Sequence, residues 1–283
     1  MFATDEIARH VMSAQDRVAE LEPITSRHPG FDLSAAYDVA RYIHDHRVAE
    51  GARPVGRKIG FTNAEMWRLL GVQEPVWGYV YRHTLTECSD GMVKLDLDRF
   101  RQARIEPEIV VHFRNTPPPG ASEASDILSC IDWIAHGIEI VQSHFPGWKF
   151  QAPDTVADAA LHGALIVGRP VPLGQLGHNL LSTLAEFSVD LSCDEALLET
   201  GYGRNVLGSP ISAVSYLIRS IAAQNQASSI QAPPIQAGEL ITTGTLTKAY
   251  PVRPGESWRT RLHGIDLPGL EVRFVSSERG DTG

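Results

Sequence analysis

From residue 91 onward the sequence breaks into short runs rich in β-branched residues, each bounded by Gly, Pro, Asn or Asp. They read "GMVKLDL", "EPEIVVHF", "HGIEIVQS", "GALIVGRPV", "EFSVDLSC", "ELITTGTLT", "SWRTRLHGI" and "LEVRFV". Runs of this length and composition predict strands. Two helical patterns interrupt them, at about 122–135 and 208–226. The N-terminal stretch is different. Residues 4–20 and 34–51 predict helices, the second with Asp32 or Ser34 as N-cap and Gly51 as its stop. "RKIGFTNAEMWRLLG" predicts a short strand and then a helix capped by Thr62 or Asn63 and ending at Gly71. The expected fold is mixed α/β of the α+β kind, with a helical part over 1–72 and a β-rich body over 73–283.

Composition narrows the class of partner. A formal charge of −9 over 283 residues, with no basic stripe, argues against nucleic acid. A small anion is still admissible, because one local cation outweighs a diffuse negative field. Cys88, Cys130 and Cys193 stand far apart and form no CxxC pair, so reduced thiols are expected. The start, "MFATDEIARHVMSAQ", lacks the basic and apolar regions of a signal peptide. Neither a membrane span nor membrane binding is expected. A cytoplasmic protein is the resulting expectation.

The sharpest local feature is "RIEPEIVVHF", from Arg104 to Phe113. Residues i and i+2 of a strand share a face, so Glu106 and Glu108 converge. Two buried carboxylates repel and call for a positive charge between them. Pro107 lacks an N–H and suits a strand start or edge. A third acid, Glu139, lies inside the apolar run "HGIEIVQS". Three carboxylates on neighbouring strands make an all-oxygen site, which favours Mg²⁺, Mn²⁺ or Ca²⁺ over zinc. The alternative is that Glu106 and Glu108 pair with Arg101 and Arg104 on a surface edge. His44 and His46 fall on different faces of a helix, and zinc is not expected.

Two lysines are candidates for chemistry. Lys58, in "GRKIGF", is either a substrate-binding or acid–base group or a strand lysine reaching solvent. Lys149, after Trp148, is either a substrate cation or a surface group. Asp154 with Thr155 suits a cap on the short helix of "TVADAALHG". Thr245 and Thr247, in "GTLT", either line a polar pocket or reflect β-propensity alone. The sequence has no phosphate-cradling glycine loop and no nucleophile elbow.

Taken together, "GRKIGFTN", "EPVWG", "ARIEPEIV", "GIEIV", "WKFQAPDTVADAA", "ELITTGTLTKAYPVRPGESWRTRL" and "LPGLEVRF" place a resemblance over roughly Asp32 to Phe274. In order and spacing the chain resembles the hydratase/decarboxylase branch of the fumarylacetoacetate hydrolase superfamily, which holds the 2-keto-4-pentenoate hydratases and 4-oxalocrotonate decarboxylases. The resemblance implies a β-rich roll and a Mg²⁺ or Mn²⁺ cofactor on Glu106, Glu108 and Glu139. It implies catalytic roles for Lys58 and Lys149. It further implies a 2-oxoacid substrate, a place in aromatic catabolism and a homo-oligomeric state. Hydration, decarboxylation and C–C hydrolysis share such a site.

Two segments depart from the family pattern. Val76 stands in "PVWG" where the family carries Asp in "PDFG" or "PDYG". Ala159 and Leu161 stand in "DTVADAALHG" where "DTIADNAS" has Asn and Ser. The expected pocket is therefore apolar beside Val76, Trp77 and Leu161, with an apolar substrate tail. Hydration is the first expectation, decarboxylation the second, and a non-catalytic ligand-binding relative the third. Burial beside a metal is expected to lower the pKa of Lys58.

Overall fold

The computed structural model describes residues 3–63, 67, 71–118, 120–227 and 232–277. The helix expected between Asn63 and Gly71 lies, apart from Trp67, outside the described residues. Three helices open the chain: α1 (Thr4–Arg17), α2 (Ile24–Arg27) and α3 (Leu33–Ala49). Asp32 caps α3 by accepting from the Ala35 amide at 2.9 Å. Ile7, Val11 and Met12 of α1 pack on Ala36, Val39 and Ile43 of α3. Ala36, Val39 and Ile43 are three and four apart, and with Ala8 the α1 residues repeat at three and four as well, so each helix has one apolar stripe.

The strands are β1 (Pro54–Gly60), β2 (Val76–Tyr81), β3 (Leu85–Glu87), β4 (Met92–Asp96), β5 (Arg104–Phe113), β6 (Ile131–Val141), β7 (His162–Val167), β8 (Val171–Pro172), β9 (Ser188–Cys193), β10 (Ala196–Tyr202), β11 (Leu240–Thr242), β12 (Tyr250–Pro251), β13 (Ser257–His263) and β14 (Glu271–Val275). The larger sheet runs β2-β1-β11-β5-β6-β7-β3, with β12 on β5 and β8 on β6; the second runs β10-β9-β13-β14-β4. Val80 of β2 and Leu165 and Val167 of β7, near opposite ends of the first order, share one apolar cluster with Val110, Ala135 and Leu240. Only a sheet curled on itself permits that. Its inner face is thus a filled roll, and the outer end of the β5–β6 pair forms its mouth.

The outer face is covered on two sides. Ile59, Ile109, Val111, Ile134 and Ile241 pack under the helix Pro210–Ala227. Ile105, Ile138, Ile140 and Ile166 pack against Leu191, Trp258, Val272 and Phe274 of the second sheet. Segment 203–226 is long and apolar enough to cross a membrane, but Ile211, Val214, Leu217 and Ile221 are buried in this core.

Three expectations change. The helix expected to 135 ends at Ser129, and Ile131–Ala135 belongs to β6, where Ile131 and Ile134 pair with Phe113 and Val111. Burial against a neighbouring strand outweighs local helical pattern there. The boundary placed after residue 72 cuts the main sheet, because β1 sits between β2 and β11. The helical part therefore ends before Pro54, and it is not separate. Val76 of β2 and Val156, Ala157 and Ala160 share its apolar cluster. Strand β10 was not expected from the sequence.

Candidate metal centre and active site

β5 and β6 pair antiparallel, with Glu106 opposite Glu139 and Glu108 opposite Gly137. Paired residues share a face, as do residues two apart. All three carboxylates therefore point into the roll near its mouth. One oxygen from each lies within 4.8 Å of the others. Glu108 and Glu139 are fully buried, whereas Glu106 keeps part of its surface.

Neighbouring segments fix the outer oxygens. Glu108 Oε2 accepts from the Thr242 hydroxyl of β11 and from the Gly244 amide at 2.8 Å. Gly244 adopts φ +102°, and a Cβ there would lie 2.1 Å from Thr62 Oγ1. Only glycine brings that amide so close. Glu139 Oε1 lies 2.7 Å from His162 Nδ1, and the other ring nitrogen lies 2.9 Å from Thr84 Oγ1. Lys58 Nζ lies 3.2 Å from Glu139 Oε2 and donates to the Ala160 carbonyl at 3.0 Å.

The Ala160 carbonyl is delivered by an unusual turn. Ala159, Ala160 and Leu161 have φ of 54°, 52° and 65°, three consecutive left-handed residues without a glycine. Each costs roughly 1–2 kcal/mol. Strain of this kind concentrates where a backbone group must be aimed. Gly78 admits the turn, since a Cβ there would lie 2.6 Å from the Ala159 carbonyl oxygen.

Burial and mutual repulsion set the charges. Burial, then the Glu139 and Glu106 charges, hold the Glu108 carboxyl well above its ordinary range. Burial pushes Glu106 up to about 7, aided by Glu139 and opposed by Lys58 and Arg104. For Glu139, burial acts upward, but Lys58 and His162 outweigh it and the pKa falls. For Lys58, burial acts downward, but Glu139, Glu106 and Glu108 outweigh it and the pKa rises. In the metal-free cluster the Lys58 pKa is thus raised, because three acids surround it; the lowering expected beside a bound ion concerns the loaded site.

Glu108 Oε1 is buried and has no hydrogen-bond partner among the described residues, while the buried Glu139 Oε2 has only the Lys58 ammonium at 3.2 Å. A buried carboxylate oxygen without a partner calls for a donor or a cation. Three converging carboxylate oxygens, one of them in this condition, fit a hard divalent cation.

The other expected site residues divide. Val76 lies beside Lys58: a Cβ at Gly60 would be 3.2 Å from Val76 Cγ2 and 3.6 Å from Lys58 Nζ. Trp77, the next residue, faces outward, donating to Gln224 Oε1 at 3.2 Å and stacking on Tyr37. It therefore does not share the Val76 side of the strand. Leu161 is buried with Val141 and Phe145 at the mouth, next to Trp148 and Phe150. Thr245 and Thr247 donate to the Thr247 and Lys248 carbonyls, within their own turn. The hydroxyl that reaches the carboxylates is that of Thr242. Lys149 is exposed, and the charges acting on Glu106 are Lys58, Glu139 and Arg104. Asp154 caps the helix Ala152–Ala157 in a capping box with Gln151 and also accepts from Thr25. A cavity of about 690 Å³ lies on the outer face of β2, walled by Tyr37, Trp77, Tyr79 and Tyr81. It reaches His162 and Thr84 but none of the three carboxylates.

No family model matches the chain. A 2-hydroxyhexa-2,4-dienoate hydratase of Comamonas testosteroni is 30% identical over 253 residues, 89% of this chain and 90% of the relative. The chain belongs to the hydratase/decarboxylase branch of the fumarylacetoacetate hydrolase family. A 4-oxalocrotonate decarboxylase of Pseudomonas sp. strain CF600 is 29% identical over 95% of this chain and 96% of its own. Among solved structures, the fold matches a 4-oxalocrotonate decarboxylase from Pseudomonas putida G7, complexed with magnesium and adipate. The TM-score is 0.85 and the identity 28%, over 96% of this chain and 97% of that one. Fumarylpyruvate hydrolase from Pseudomonas aeruginosa shares the fold alone, at TM-score 0.57 and 16% identity over 78% of this chain and 89% of that one. This family membership agrees with the resemblance read from "EPE", the downstream Glu139 and "TGTLT".

Proposed function

We propose that the protein is a divalent-metal-dependent lyase of a short unsaturated 2-oxo or 2-hydroxydienoic acid, and that it hydrates the conjugated double bond. The observation carrying this reading is the convergence of Glu106, Glu108 and Glu139 beside Lys58, with the buried Glu108 Oε1 left without a donor. Those three residues would hold Mg²⁺ or Mn²⁺. Such an ion supplies Lewis acidity toward the carboxylate and 2-oxo oxygens of a 2-oxoacid.

The chain's own groups do the rest. Lys58 is held protonated by the surrounding acids, so it serves as a proton donor and as a fixed positive charge near the substrate oxygens. Its hydrogen bond to Ala160 fixes where that proton is offered. In the net reaction the dienol loses its hydroxyl proton and gains one on its terminal carbon. Water then adds its oxygen to one carbon of the remaining double bond and its proton to the other. Val76 and Leu161 line the site with apolar surface that excludes stray water. Lys149, Thr245 and Thr247 carry no step in this reading.

Decarboxylation is a second reading, favoured by relatives of that name at the same level of identity as the hydratases. We also read the protein as a homo-oligomer, since edge strand β10 exposes Leu197 and Leu198. The test is ultraviolet loss of a 2-hydroxydienoate with and without Mg²⁺, followed by product mass. Gain of water supports hydration and loss of CO₂ supports the second reading. No metal-dependent loss of the dienoate refutes both.

A further inference from the structure

The cavity on the outer face of β2 takes no part in the proposed reaction, yet at about 690 Å³ it has the size of a small-molecule site. One wall is a continuous row of rings. Tyr37 stacks on Trp77 with centroids 5.4 Å apart, and Trp77 meets Tyr79 edge-on at 5.3 Å. Tyr81 follows at 6.4 Å, and His83 stacks on Tyr81 at 5.7 Å. Strand alternation puts Trp77, Tyr79 and Tyr81 on one side of β2. Helix α3 and the turn Arg82–Thr84 supply the rings at the two ends. His44 rests on Tyr79 at 3.6 Å and holds the row in place. Tyr79 and Tyr81 are half-buried and His83 is exposed. Rings left part-open in a concavity offer faces and edges to a planar partner.

The two ends differ in charge. At one, Glu74 stands near enough to Tyr37 for its charge to act on the phenol. At the other, burial and then the charges of Arg47, His162 and Arg99 hold His83 below its ordinary range, so those three groups surround it. Asp16 takes up Arg47 at 2.6 Å, and Asp45 takes up Arg41 at 2.9 Å. Arg99 is exposed. Among the described residues no carboxylate stands within ion-pair distance of it, although Asp96 feels its charge. A guanidinium in that state matches a carboxylate. Thr84 and His162 line the same end, and His162 Nδ1 lies 2.7 Å from Glu139 Oε1. One imidazole therefore separates the cavity from the acid cluster.

We propose that this cavity is a second ligand site, distinct from the acid cluster, which takes a planar aromatic monocarboxylate and is coupled to the metal. The ring of the ligand lies against the row that ends at His83, and its carboxylate meets Arg99. A divalent cation in the cluster attracts an anion held across the His162 ring, so each tightens the other by the same factor. The coupling rests on the proposed metal centre; the site itself does not.

The experiment is calorimetric titration with 2-naphthoate at pH 8, first without Mg²⁺ and then with it. Without Mg²⁺, one 2-naphthoate should bind per chain. Cyclohexanecarboxylate keeps the charge and loses the planar ring; 2-naphthylmethanol keeps the rings and loses the charge. Each should bind more weakly by about threefold or more. Arg99→Gln, a change at an exposed side chain, should remove the advantage of 2-naphthoate over 2-naphthylmethanol. With Mg²⁺ present, 2-naphthoate should bind tighter by about threefold or more, and Mg²⁺ should gain the same factor from 2-naphthoate. Absence of Mg²⁺-free binding, equal affinity for either control, or an unchanged ratio in Arg99→Gln overturns the site. Binding that leaves both affinities unchanged by the other ligand overturns the coupling. Failure to bind Mg²⁺ removes the metal centre and the coupling together, and the Mg²⁺-free titration still decides the site.

Discussion

Metal binding should release protons, in an amount set by the crowding of the carboxyls. Burial pushes Glu106 up to about 7 and holds Glu108 well above its ordinary range, while Glu139 stays ionised beside Lys58 and His162. At pH 7 Glu106 is then about half protonated, and the Glu108 carboxyl is shifted in the same direction. The three titrate as one cluster. A divalent ion needs them ionised, so its arrival should expel about half a proton from Glu106 at pH 7, and more to the extent that Glu108 is protonated. Affinity should therefore rise with pH, by about half a log unit per pH unit or more around neutrality, and flatten above the cluster's range. The sign for stability is opposite. Glu106 is raised from 4.5, so the metal-free fold should lose stability as pH climbs from 4.5 through about 7. Calorimetric titration with Mg²⁺ in two buffers of different ionisation enthalpy, at pH 6, 7 and 8, counts the protons. A release below about 0.3 at pH 7, with an affinity indifferent to pH, would refute this account of the cluster.

Three further outcomes are expected. Lys58→Met should lower kcat about a hundredfold or more, while Mg²⁺ affinity in the same calorimeter does not fall, because a cation has been removed from beside the acids. His162→Ala frees Glu139 Oε1 and should weaken Mg²⁺ binding about 10- to 100-fold; unchanged affinity would make His162 a bystander. Gly244→Ala forces a Cβ onto Thr62 and strains φ +102°, so thermal melting should show a loss of about 2 kcal/mol or more, together with weaker metal binding.

Much of the site was legible because strand alternation is a local rule. Glu106 and Glu108 announce a shared face, and Glu139 in its own apolar run announces a second buried acid. The same rule, applied to "VWGYVY", separates Val76, Gly78 and Val80 from Trp77, Tyr79 and Tyr81. Placing Val76 and Trp77 on one wall overlooked it. His162 carries no such signal, since its reach to Glu139 depends on the register of β7 against β6. The choice of Thr242 over Thr245 and Thr247 depends on β11 ending after three residues, where the chain turns away at Gly244. Lys58 faces inward as expected, but the direction of its pKa shift depends on how many acids surround it, which only the closed roll reveals. The run Ile131–Ala135 carries a helical pattern locally, and its pairing with β5 is invisible along the chain.

The position of β11 has a consequence for how the protein is made. This three-residue strand fills the gap between β1 and β5, parallel to one and antiparallel to the other. On the ribosome, β1 and β5 emerge long before it. At about 5–20 residues per second, roughly 10–40 s separate the synthesis of Lys58 from that of Thr242. Once β5 has been made as well, both strands offer open edges to any neighbouring nascent chain until β11 arrives. Glu108 also lacks the Thr242 and Gly244 donors that hold it, so the acid cluster is assembled only when the C-terminal third arrives. Folding of the roll is therefore late, non-local and slow, and the period before β11 inserts is when the chain most needs a chaperone.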